Sequence, residues 1–256
     1  MLQENRKEEI ITLLNKNKKF LIEDLRKYLG ISLGTIHRDL NELKREGRIK
    51  KVYGAVYLNQ INDDVLENEI RLKTNVELKE KIALKAMDYI ENNDCIFMDN
   101  SSTCYYFAKE LVKSKINGLV VVTNSNIIPG LFLRNNNIQV VSTGGVLQKE
   151  LNCFAGFYTL NTINNFNGSK FFFSIKGISV DGDLSDIHFP DCNQVKREMF
   201  IKAKEHICLV DSTKFNKVSQ SKVFLLSEID KIITDNKCSQ EIIDEFAMLG
   251  KKIIIS

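Results

Sequence analysis

Apolar side chains in the first sixty residues recur at helical spacing and are interrupted by polar breaks. One stripe predicts a first helix that ends in the run NKNKK, and a second stripe predicts a short helix that ends at Gly30. A third stripe predicts a longer helix over residues 33 to about 46, with Ser32 as its N-cap. The β-prone run RIKKVYGAVYL, with a turn at Gly54, then predicts a two-stranded wing. This order of elements predicts a winged helix-turn-helix over residues 1–58.

The rest of the chain alternates short apolar runs with amphipathic segments of helical period. Among the apolar runs are CIFMD, GLVVVTNS, NIQVVS, SKFFFS, EHICLVD, KIITD and KKIIIS. Uniformly apolar strands separated by helices are typical of a mostly parallel sheet that is covered on both faces. We therefore predict an α/β fold class, with a polar linker over residues 59–75 and an α/β domain over residues 76–256.

Charge is distributed unevenly between these two predicted domains. The whole chain has a formal net charge of +3. Residues 1–60 contain 13 lysines and arginines against 8 acidic residues, whereas the remainder is close to neutral. A small basic head on a near-neutral body predicts that the head binds a polyanion.

The third predicted helix has a polar face that suits a DNA major groove. Small and hydrogen-bonding side chains near its start allow close approach, because bulk there would hold the backbone away from the base edges. Basic residues of the wing can reach phosphates beside the groove. The predicted DNA-contacting residues are Ser32, Gly34, Thr35, His37, Arg38, Asn41, Lys44, Arg48, Lys50, Lys51 and Tyr53.

Polar residues follow four of the predicted strands. Ligands of parallel α/β sheets bind at the carboxyl ends of the strands, where hydroxyls, glycine N–H groups and helix starts can form an anion pocket. One such loop alone is better explained as a helix cap, but four in one sheet favour a pocket. A polyol phosphate fits better than a nucleotide, because no G-x-G-x-x-G or P-loop motif is present. The predicted effector-binding residues are Asp99, Asn100, Ser101, Ser102, Thr103, Thr123, Asn124, Ser125, Gly144, Gly145, Lys196, Asp211 and Lys214.

Other kinds of site are not indicated by the sequence. The six cysteines form no C-x-x-C pair and the three histidines lie far apart, so we expect reduced thiols and no metal site. No apolar stretch approaches the length that spans a bilayer, and the charged start MLQENRKEEI lacks the apolar core of a secretory signal. We therefore expect a cytoplasmic protein without a cofactor or a membrane partner.

The segment ISLGTIHRDLNELKREGRIKKVYG resembles the helix-turn-helix of DeoR-type bacterial regulators, whose usual pattern is V-S-x-x-T-I-R-R-D-L followed by a basic wing. In the second predicted domain, KIALKAMDYI, CIFMDNSST, VVVTNS, STGG, VKREMF, LVDSTKF and IITD follow the order of that family's sensor domain. The resemblance covers residues 4–256. It implies transcriptional regulators of sugar and nucleoside catabolism, mostly repressors, that respond to phosphorylated sugars. It also implies a sensor fold similar to ribose-phosphate isomerases and coenzyme A transferases.

Carried over by position, the resemblance implies DNA contacts at Ser32, Thr35, His37, Arg38 and the wing. It implies effector contacts at the residues that follow the predicted strands, together with Lys196. We expect a homo-oligomer, a dimer or a tetramer, that places two copies of the third helix in successive major grooves of double-stranded operator DNA. A bound sugar phosphate is expected to release it.

Four positions depart from the family pattern. His37 stands where the family usually has arginine, which predicts a weaker and more pH-sensitive contact there. In the wing, Tyr53 and Ala55 replace the family's histidine and second glycine. Ser101 replaces the glycine of the loop D-x-G-[ST]-T, and its side chain would narrow the approach of the backbone to a phosphate.

Two other classes of function are alternatives to a DNA-binding regulator. A sugar-phosphate isomerase or transferase-like enzyme would use Asp99 or Asp211 as a proton-transfer base and Lys214 as an electrostatic stabiliser. No predicted strand exit pairs two carboxylates, and the basic head would be unexplained, so we expect no enzyme and no catalytic residues. A winged helix that binds only proteins is disfavoured by the polar set Thr35, Arg38 and Lys50.

Overall fold

A computed structural model of the chain describes residues 3–17, 19–46, 48–52, 54–58 and 70–256. The chain divides into two compact units, residues 1–70 and residues 71–256. Residues 59–69 of the predicted linker lie outside the described residues, and its last five residues belong to the second unit.

The first unit combines helices with a small antiparallel sheet. In chain order its elements are α1 (Gln3–Asn17), β1 (Lys19–Leu21), α2 (Ile22–Leu29), α3 (Leu33–Arg45), β2 (Ile49–Val52) and β3 (Ala55–Leu58). Gly30 ends α2 in the left-handed conformation, which glycine adopts without strain. The predicted winged helix-turn-helix is confirmed, but the sheet order β1-β3-β2 adds a third strand to the two-stranded wing. Strand β1 begins at Lys19, the last residue of the run NKNKK, which predicted only the end of the first helix.

One face of each helix builds the core of the first unit. Leu14 of α1, Leu25 of α2 and Ile36 of α3 are completely buried. A charged pair crosses the same interface: Asp39 is also completely buried and accepts hydrogen bonds from Arg6 Nε at 2.8 Å and from Arg6 Nη2 at 3.2 Å. The forked geometry fixes the position of α3 on α1, because two parallel hydrogen bonds define both distance and orientation.

The second unit contains a large sheet, its covering helices and two small antiparallel additions. The helices are α4 (Val76–Ala86), α5 (Ser102–Lys113), α6 (Ile128–Leu131), α7 (Phe157–Asn164), α8 (Pro190–Lys202) and α9 (Gln240–Met248). The strands are β4 (Cys95–Met98), β5 (Leu119–Thr123), β6 (Ile138–Ser142), β7 (Val146–Gln148), β8 (Cys153–Ala155), β9 (Gly168–Phe173), β10 (Gly177–Ile178), β11 (Asp183–Asp186), β12 (Ala203–Leu209), β13 (Ser221–Leu225), β14 (Lys231–Thr234) and β15 (Ile253–Ile255).

The large sheet is parallel throughout the described residues. Its strand order is β15-β14-β12-β9-β4-β5-β6, and each neighbouring pair is parallel. Successive side chains of a strand point to opposite faces. Accordingly, Phe172 packs on Phe107 of α5 in one core, while Phe171 and Phe173 lie in the core on the other face. The predicted parallel α/β architecture is confirmed.

Several smaller elements were not predicted from the sequence. They are the hairpin β7-β8, the helix α7 and the antiparallel sheet β10-β11-β13. Uniform apolar runs do not mark them, because their strands are short and carry polar or exposed residues such as Val146 and Leu147. The hairpin and α7 follow the edge strand β6 along the chain, whereas β10, β11 and β13 follow the interior strands β9 and β12.

The Asp39–Arg6 pair generates a prediction for the stability of the first unit. Replacement Asp39→Ala leaves the Arg6 guanidinium without its buried partner, so we expect a loss of about 3 kcal/mol in local stability. Native-state hydrogen exchange of the α1 and α3 amides in the full chain measures this loss. The matched control is Asp24→Ala, an exposed carboxylate on α2. Equal exchange rates in the two variants would contradict a structural role for the pair.

Candidate DNA-binding face and effector site

The start of α3 is fixed by its own side chains. Ser32 is the N-cap, since its Oγ accepts a hydrogen bond from Thr35 N at 3.2 Å. The two hydroxyl oxygens of Ser32 and Thr35 lie 2.8 Å apart. Gly34 adds no side chain at the same turn, so the first turn of α3 offers hydroxyls and backbone close to its surface. The predicted N-cap is therefore confirmed.

The polar face of α3 is open to solvent while its apolar face fills the core. Arg38 makes no hydrogen bond or ion pair within the described part of the chain. A helix that is anchored on one side and polar on the other can enter a groove without rearrangement. The exposed members of the predicted DNA-contacting set are Ser32, Gly34, His37, Arg38, Asn41 and Lys44, and Thr35 is half-buried.

Lys51 connects the wing to this face of α3. Its ammonium donates to Asn41 Oδ1 at 3.1 Å and lies 3.3 Å from His37 Nδ1. Burial lowers the pKa of Lys51, and Lys44 lowers it further by like-charge repulsion. The wing lysine and the helix thus form one continuous surface, which the sequence spacing of ten and fourteen residues could not reveal.

The other wing residues that were predicted to contact DNA do not share one environment. Arg48 Nη1 lies 2.8 Å from Glu8 Oε1 of α1 and 3.8 Å from Glu46 Oε2, so its charge is engaged inside the unit. Lys50 lies in β2. Tyr53 lies outside the described residues.

A second set of polar groups meets at the carboxyl ends of three neighbouring strands. The registers pair Met98 with Thr123 and Thr123 with Ser142. The residues that follow these positions are Asp99, Asn124 and Thr143. They therefore leave β4, β5 and β6 at the same level of the sheet, as the parallel arrangement predicted.

Lys196 is the charged centre of this edge. It is buried, and its ammonium lies 2.6 Å from Asp186 Oδ2, 3.3 Å from Asp99 Oδ2 and 2.8 Å from the carbonyl oxygen of Ser174. Burial alone would lower the pKa of Lys196, but the two carboxylates raise it. Burial likewise opposes the ionisation of Asp186, and attraction to Lys196 overcomes it and lowers its pKa. These three acceptors occupy the ammonium, so Lys196 orders the edge by neutralising two buried carboxylates.

Asp99 also organises the backbone around it. Its Oδ1 accepts from Ser101 N at 3.0 Å and its Oδ2 accepts from Ser174 N at 3.1 Å. The carboxylate therefore links the exit of β4 to the exit of β9. Asp186 and Ser174 were not among the residues predicted from the sequence.

Several predicted effector residues accept hydrogen bonds from backbone N–H groups at the starts of helices or turns. Ser101 Oγ accepts from Cys104 N at 3.2 Å at the start of α5, and Ser125 Oγ accepts from Ile128 N at 3.2 Å at α6. Asp211 Oδ1 accepts from Thr213 N at 3.1 Å in a short 3-10 turn. Local hydrogen bonds of this kind account for part of the polar pattern after the strands. We expected this for any single loop, which is better explained as a helix cap.

Other polar atoms of this edge have no such role. Asn124 Oδ1 and Thr143 Oγ1 are buried and lack a hydrogen-bond partner among the described residues. Buried polar atoms are nearly always satisfied, so unsatisfied ones at a strand edge identify a place for a polar ligand or water. Both atoms belong to loops that contain predicted effector-binding residues.

The remaining predicted residues frame these atoms. Asn100 Nδ2 donates to the carbonyl oxygen of Leu151, and Ser102 and Thr103 are buried in the first turn of α5. Gly145 has φ of 113°, and a Cβ there would come within 2.2 Å of Thr159 Oγ1. The Gly144–Gly145 turn therefore requires glycine at its second position.

A lysine outside the predicted set also reaches this edge. Lys79 of α4 is only 4% exposed. Burial lowers its pKa to about 8, Asp211 acts in the opposite direction, and Lys214 and Arg71 lower it further. The sequence KEKIALK gives no signal of this, because a lysine-rich helix is normally solvated.

The described residues contain neither a metal-binding cluster nor a disulfide bond. No cluster of histidine, cysteine and carboxylate groups that could hold a metal ion occurs there. All six cysteines are free thiols, and Cys153 Sγ lies 3.4 Å from Cys192 Sγ. No helix in the described ranges combines the length and the apolarity needed to cross a bilayer.

Comparison with protein families covers both units. The family model of the DeoR-like helix-turn-helix domain matches residues 6–62, and that of the DeoR C terminal sensor domain matches residues 74–236. Among solved structures, ribose 5-phosphate isomerase A from Neisseria gonorrhoeae is similar over 57% of this chain and 56% of its own, at a TM-score of 0.42 and 20% identity. That likeness is too distant for any conclusion about this chain.

Relatives align with nearly the whole chain. The HTH-type transcriptional regulator GolR of Listeria innocua is 32% identical over 98% of both chains. The L-fucose operon activator of Escherichia coli is 32% identical over 91% of this chain and 95% of its own. The HTH-type transcriptional repressor GlcR of Bacillus subtilis is 28% identical over 100% of this chain and 97% of its own. The chain belongs to the DeoR family of DNA-binding transcriptional regulators.

Proposed function

We propose that this chain is a cytoplasmic repressor of a sugar or nucleoside operon and that a phosphorylated sugar releases it from its operator. The observation that carries the proposal is the exposed polar face of α3. The opposite, apolar face of this helix is buried, and the wing residue Lys51 donates a hydrogen bond to Asn41 on the polar face. A relative named as an L-fucose operon activator supports control of a sugar operon, and a relative named as a transcriptional repressor supports repression.

On DNA, the two parts of this surface have different tasks. Arg38 and Asn41 on α3 reach base edges in the major groove, where arginine and asparagine form bidentate pairs with guanine and adenine. Lys44 and Lys51 contact phosphates, which supply affinity but no sequence choice. Two copies of the chain, arranged as a dimer or within a tetramer, match two half-sites one helical turn apart.

The polar edge of the second unit suits a small, hydroxylated anion. Asn124 Oδ1 accepts hydrogen bonds from sugar hydroxyls, and Thr143 Oγ1 can either donate or accept. Lys214 supplies positive charge for a phosphate. Asp99 is saturated by Lys196 and by two backbone N–H groups. A carboxylate held in this way is a poor general base, which supports a binding site without turnover.

Release requires that the sugar phosphate prefer one arrangement of the oligomer over another. A ligand can lower operator affinity only by its difference in affinity for the two arrangements. Repression is the simpler outcome, because a protein that only occupies an operator blocks transcription without any further contact.

The proposal is tested on operator fragments selected from genomic DNA by the full chain. Binding is titrated by fluorescence anisotropy with a panel of sugar phosphates and with the matching unphosphorylated sugars, at constant ionic strength. We expect one sugar phosphate to weaken binding while its parent sugar does not. Selection of no specific duplex, or release by the parent sugar alone, would refute the proposal, and product analysis of the same mixtures tests for turnover.

The exposed guanidinium of α3 generates the first functional prediction. Arg38→Ala is expected to weaken binding to the selected operator by about 1–3 kcal/mol if Arg38 contacts a base, and by less if it contacts only a phosphate. A gel-shift titration at fixed salt measures the change. Arg134→Ala, which removes an exposed arginine of the second unit, is the matched control. Unchanged affinity for Arg38→Ala would remove this residue from the interface.

Lys214, a basic residue that follows β12, generates the second functional prediction. Lys214→Ala is expected to bind operator like the wild type but to need at least about tenfold more sugar phosphate for release, because a charged hydrogen bond to the phosphate is lost. Lys217→Ala, an exposed lysine three residues away, is the control. A normal response of Lys214→Ala in the same anisotropy titration would exclude Lys214 from the site.

A further inference from the structure

A concave part of the α3 surface lies next to the wing residue Lys51. It is lined by Gly34, His37, Arg38, Asn41, Glu42 and Arg45. Two of these residues, His37 and Asn41, are exposed and lie four positions apart, so they share one side of the helix. Lys51 Nζ contacts both of them, at 3.3 Å from His37 Nδ1 and at 3.1 Å from Asn41 Oδ1. One ammonium therefore links two side chains of the predicted DNA-contacting set.

This ammonium determines which atoms of its two partners remain available. An ammonium has three N–H donors and no acceptor, so the atom that faces it must offer a lone pair. For Asn41 this atom is Oδ1, which leaves the Nδ2 donors on the other side of the amide. For His37 it is Nδ1, because a proton there would set two donors against each other. The ring proton therefore lies on Nε2, and the remaining nitrogen of His37 can only donate.

Partial burial of Lys51 strengthens its contacts with the protein. The side chain is half-buried, and burial lowers the pKa of its ammonium. A poorly hydrated ammonium gains more from a protein acceptor than a fully hydrated one, because it gives up less water. Lys44 is exposed, and its side chain makes no hydrogen bond or ion pair in the described ranges. Lys51 therefore orients its neighbours, whereas Lys44 only adds charge.

Side chains that only donate hydrogen bonds are best matched by guanine in the major groove. Arg38 has no acceptor, and His37 keeps Nε2–H as its free polar group. Guanine offers two acceptors on this edge, N7 and O6, and no donor, whereas adenine places an amino donor beside its single acceptor. A histidine of variable tautomer could pair with either base. A fixed Nε2–H therefore distinguishes guanine from adenine.

We propose that Lys51 is a positioning residue that fixes the tautomer of His37 and the amide of Asn41, and that His37 Nε2–H thereby recognises a guanine in each operator half-site. The inference rests on the proposed function and adds to it the base that α3 recognises and the residue that determines this preference. The third donor of Lys51 remains for a phosphate. One lysine thus couples the contact of the wing with the DNA backbone to the orientation of the side chains that read bases.

The tautomer is measured without DNA, by 15N NMR of the full chain labelled in histidine, at about pH 8, where histidine rings are neutral. The chain has three histidines, and His37→Gln identifies the signals of His37. We expect the wild type to hold the ring proton on Nε2 alone and Lys51→Met to show both tautomers. Lys44→Met is expected to match the wild type. A proton on Nδ1 in the wild type, or an equal change in Lys44→Met, would overturn the proposal.

The base preference is measured with a duplex that the full chain selects from genomic DNA. Each G·C pair of one half-site is changed in turn to A·T, and binding is titrated at constant ionic strength. One change is expected to weaken the wild type at least about tenfold but His37→Ala less than about threefold, which identifies the pair that His37 recognises. In Lys51→Met the loss at this pair is expected to fall below about threefold. The full tenfold loss in Lys51→Met would contradict a positioning role.

Lys44→Met separates base preference from phosphate contact. It is expected to weaken binding to every duplex by a similar factor and to keep the tenfold loss, because phosphates carry no sequence information. The same profile in Lys51→Met would restrict Lys51 to a phosphate contact and refute the inference. Hydrogen exchange of the α3 amides reports whether the helix stays intact in Lys51→Met. If the helix opens, Lys51→Thr, a short side chain that suits a strand, replaces it in both measurements with the same expected results.

The positioning role and the proposed function can fail separately. If no sugar phosphate releases the chain, but the guanine preference depends on His37 and is lost in Lys51→Met, the positioning role stands and the release mechanism fails. If a sugar phosphate releases the chain, but no change of a G·C pair depends on His37, the release mechanism stands and the positioning role fails.

Discussion

The second unit depends on one buried ammonium that neutralises two buried carboxylates. Lys196 holds Asp99, which follows a strand of the large sheet, and Asp186, which ends a strand of the small antiparallel sheet. Without that charge both carboxylates would be buried with no opposite charge beside them, which costs free energy. The contact therefore joins α8 and the two sheets at the edge where a ligand would bind. It also helps to saturate Asp99, which accepts two backbone hydrogen bonds as well, and a saturated carboxylate suits recognition better than proton transfer.

Ion pairs within the first unit likewise determine which of its basic residues remain available to bind a polyanion. Several of its cations are balanced internally: Arg6 pairs with Asp39, Lys7 with Glu4 and Glu46, Arg26 with Glu23 and Arg48 with Glu8. These pairs lie on α1, on α2 and at the start of the wing. Arg38, Lys44 and Lys51, which lie on α3 and the adjoining strand, have no ion pair within the described part of the chain and add unbalanced positive charge to that surface. The net charge of the head is thus less informative than its location.

Local patterns predicted much of this fold, whereas contacts between distant segments stayed hidden. The apolar stripe of α3, the cap Ser32 and the polar exits of β4, β5 and β6 are encoded within a few residues, so the sequence alone indicated them. The partner of Lys196 could not be found in this way, because Asp186 lies in the polar strand DLSD, which has no apolar signal. Lys79 was hidden by its lysine-rich helix, and the pairing of Arg48 with Glu8 spans forty residues. Burial decides the role of each of these charges, and burial depends on the whole fold.

The central claim is that α3 is the surface that binds DNA and that a ligand at the sheet edge controls it. Hydrogen-exchange mass spectrometry of the full chain tests both parts in one series: alone, with its selected operator duplex, and with duplex plus the releasing sugar phosphate. The account predicts that the duplex protects the amides of residues 32–45 and that the sugar phosphate removes this protection while it protects residues 99–103 and 123–125. Unchanged exchange in residues 32–45 on a duplex that the chain binds specifically would contradict the account.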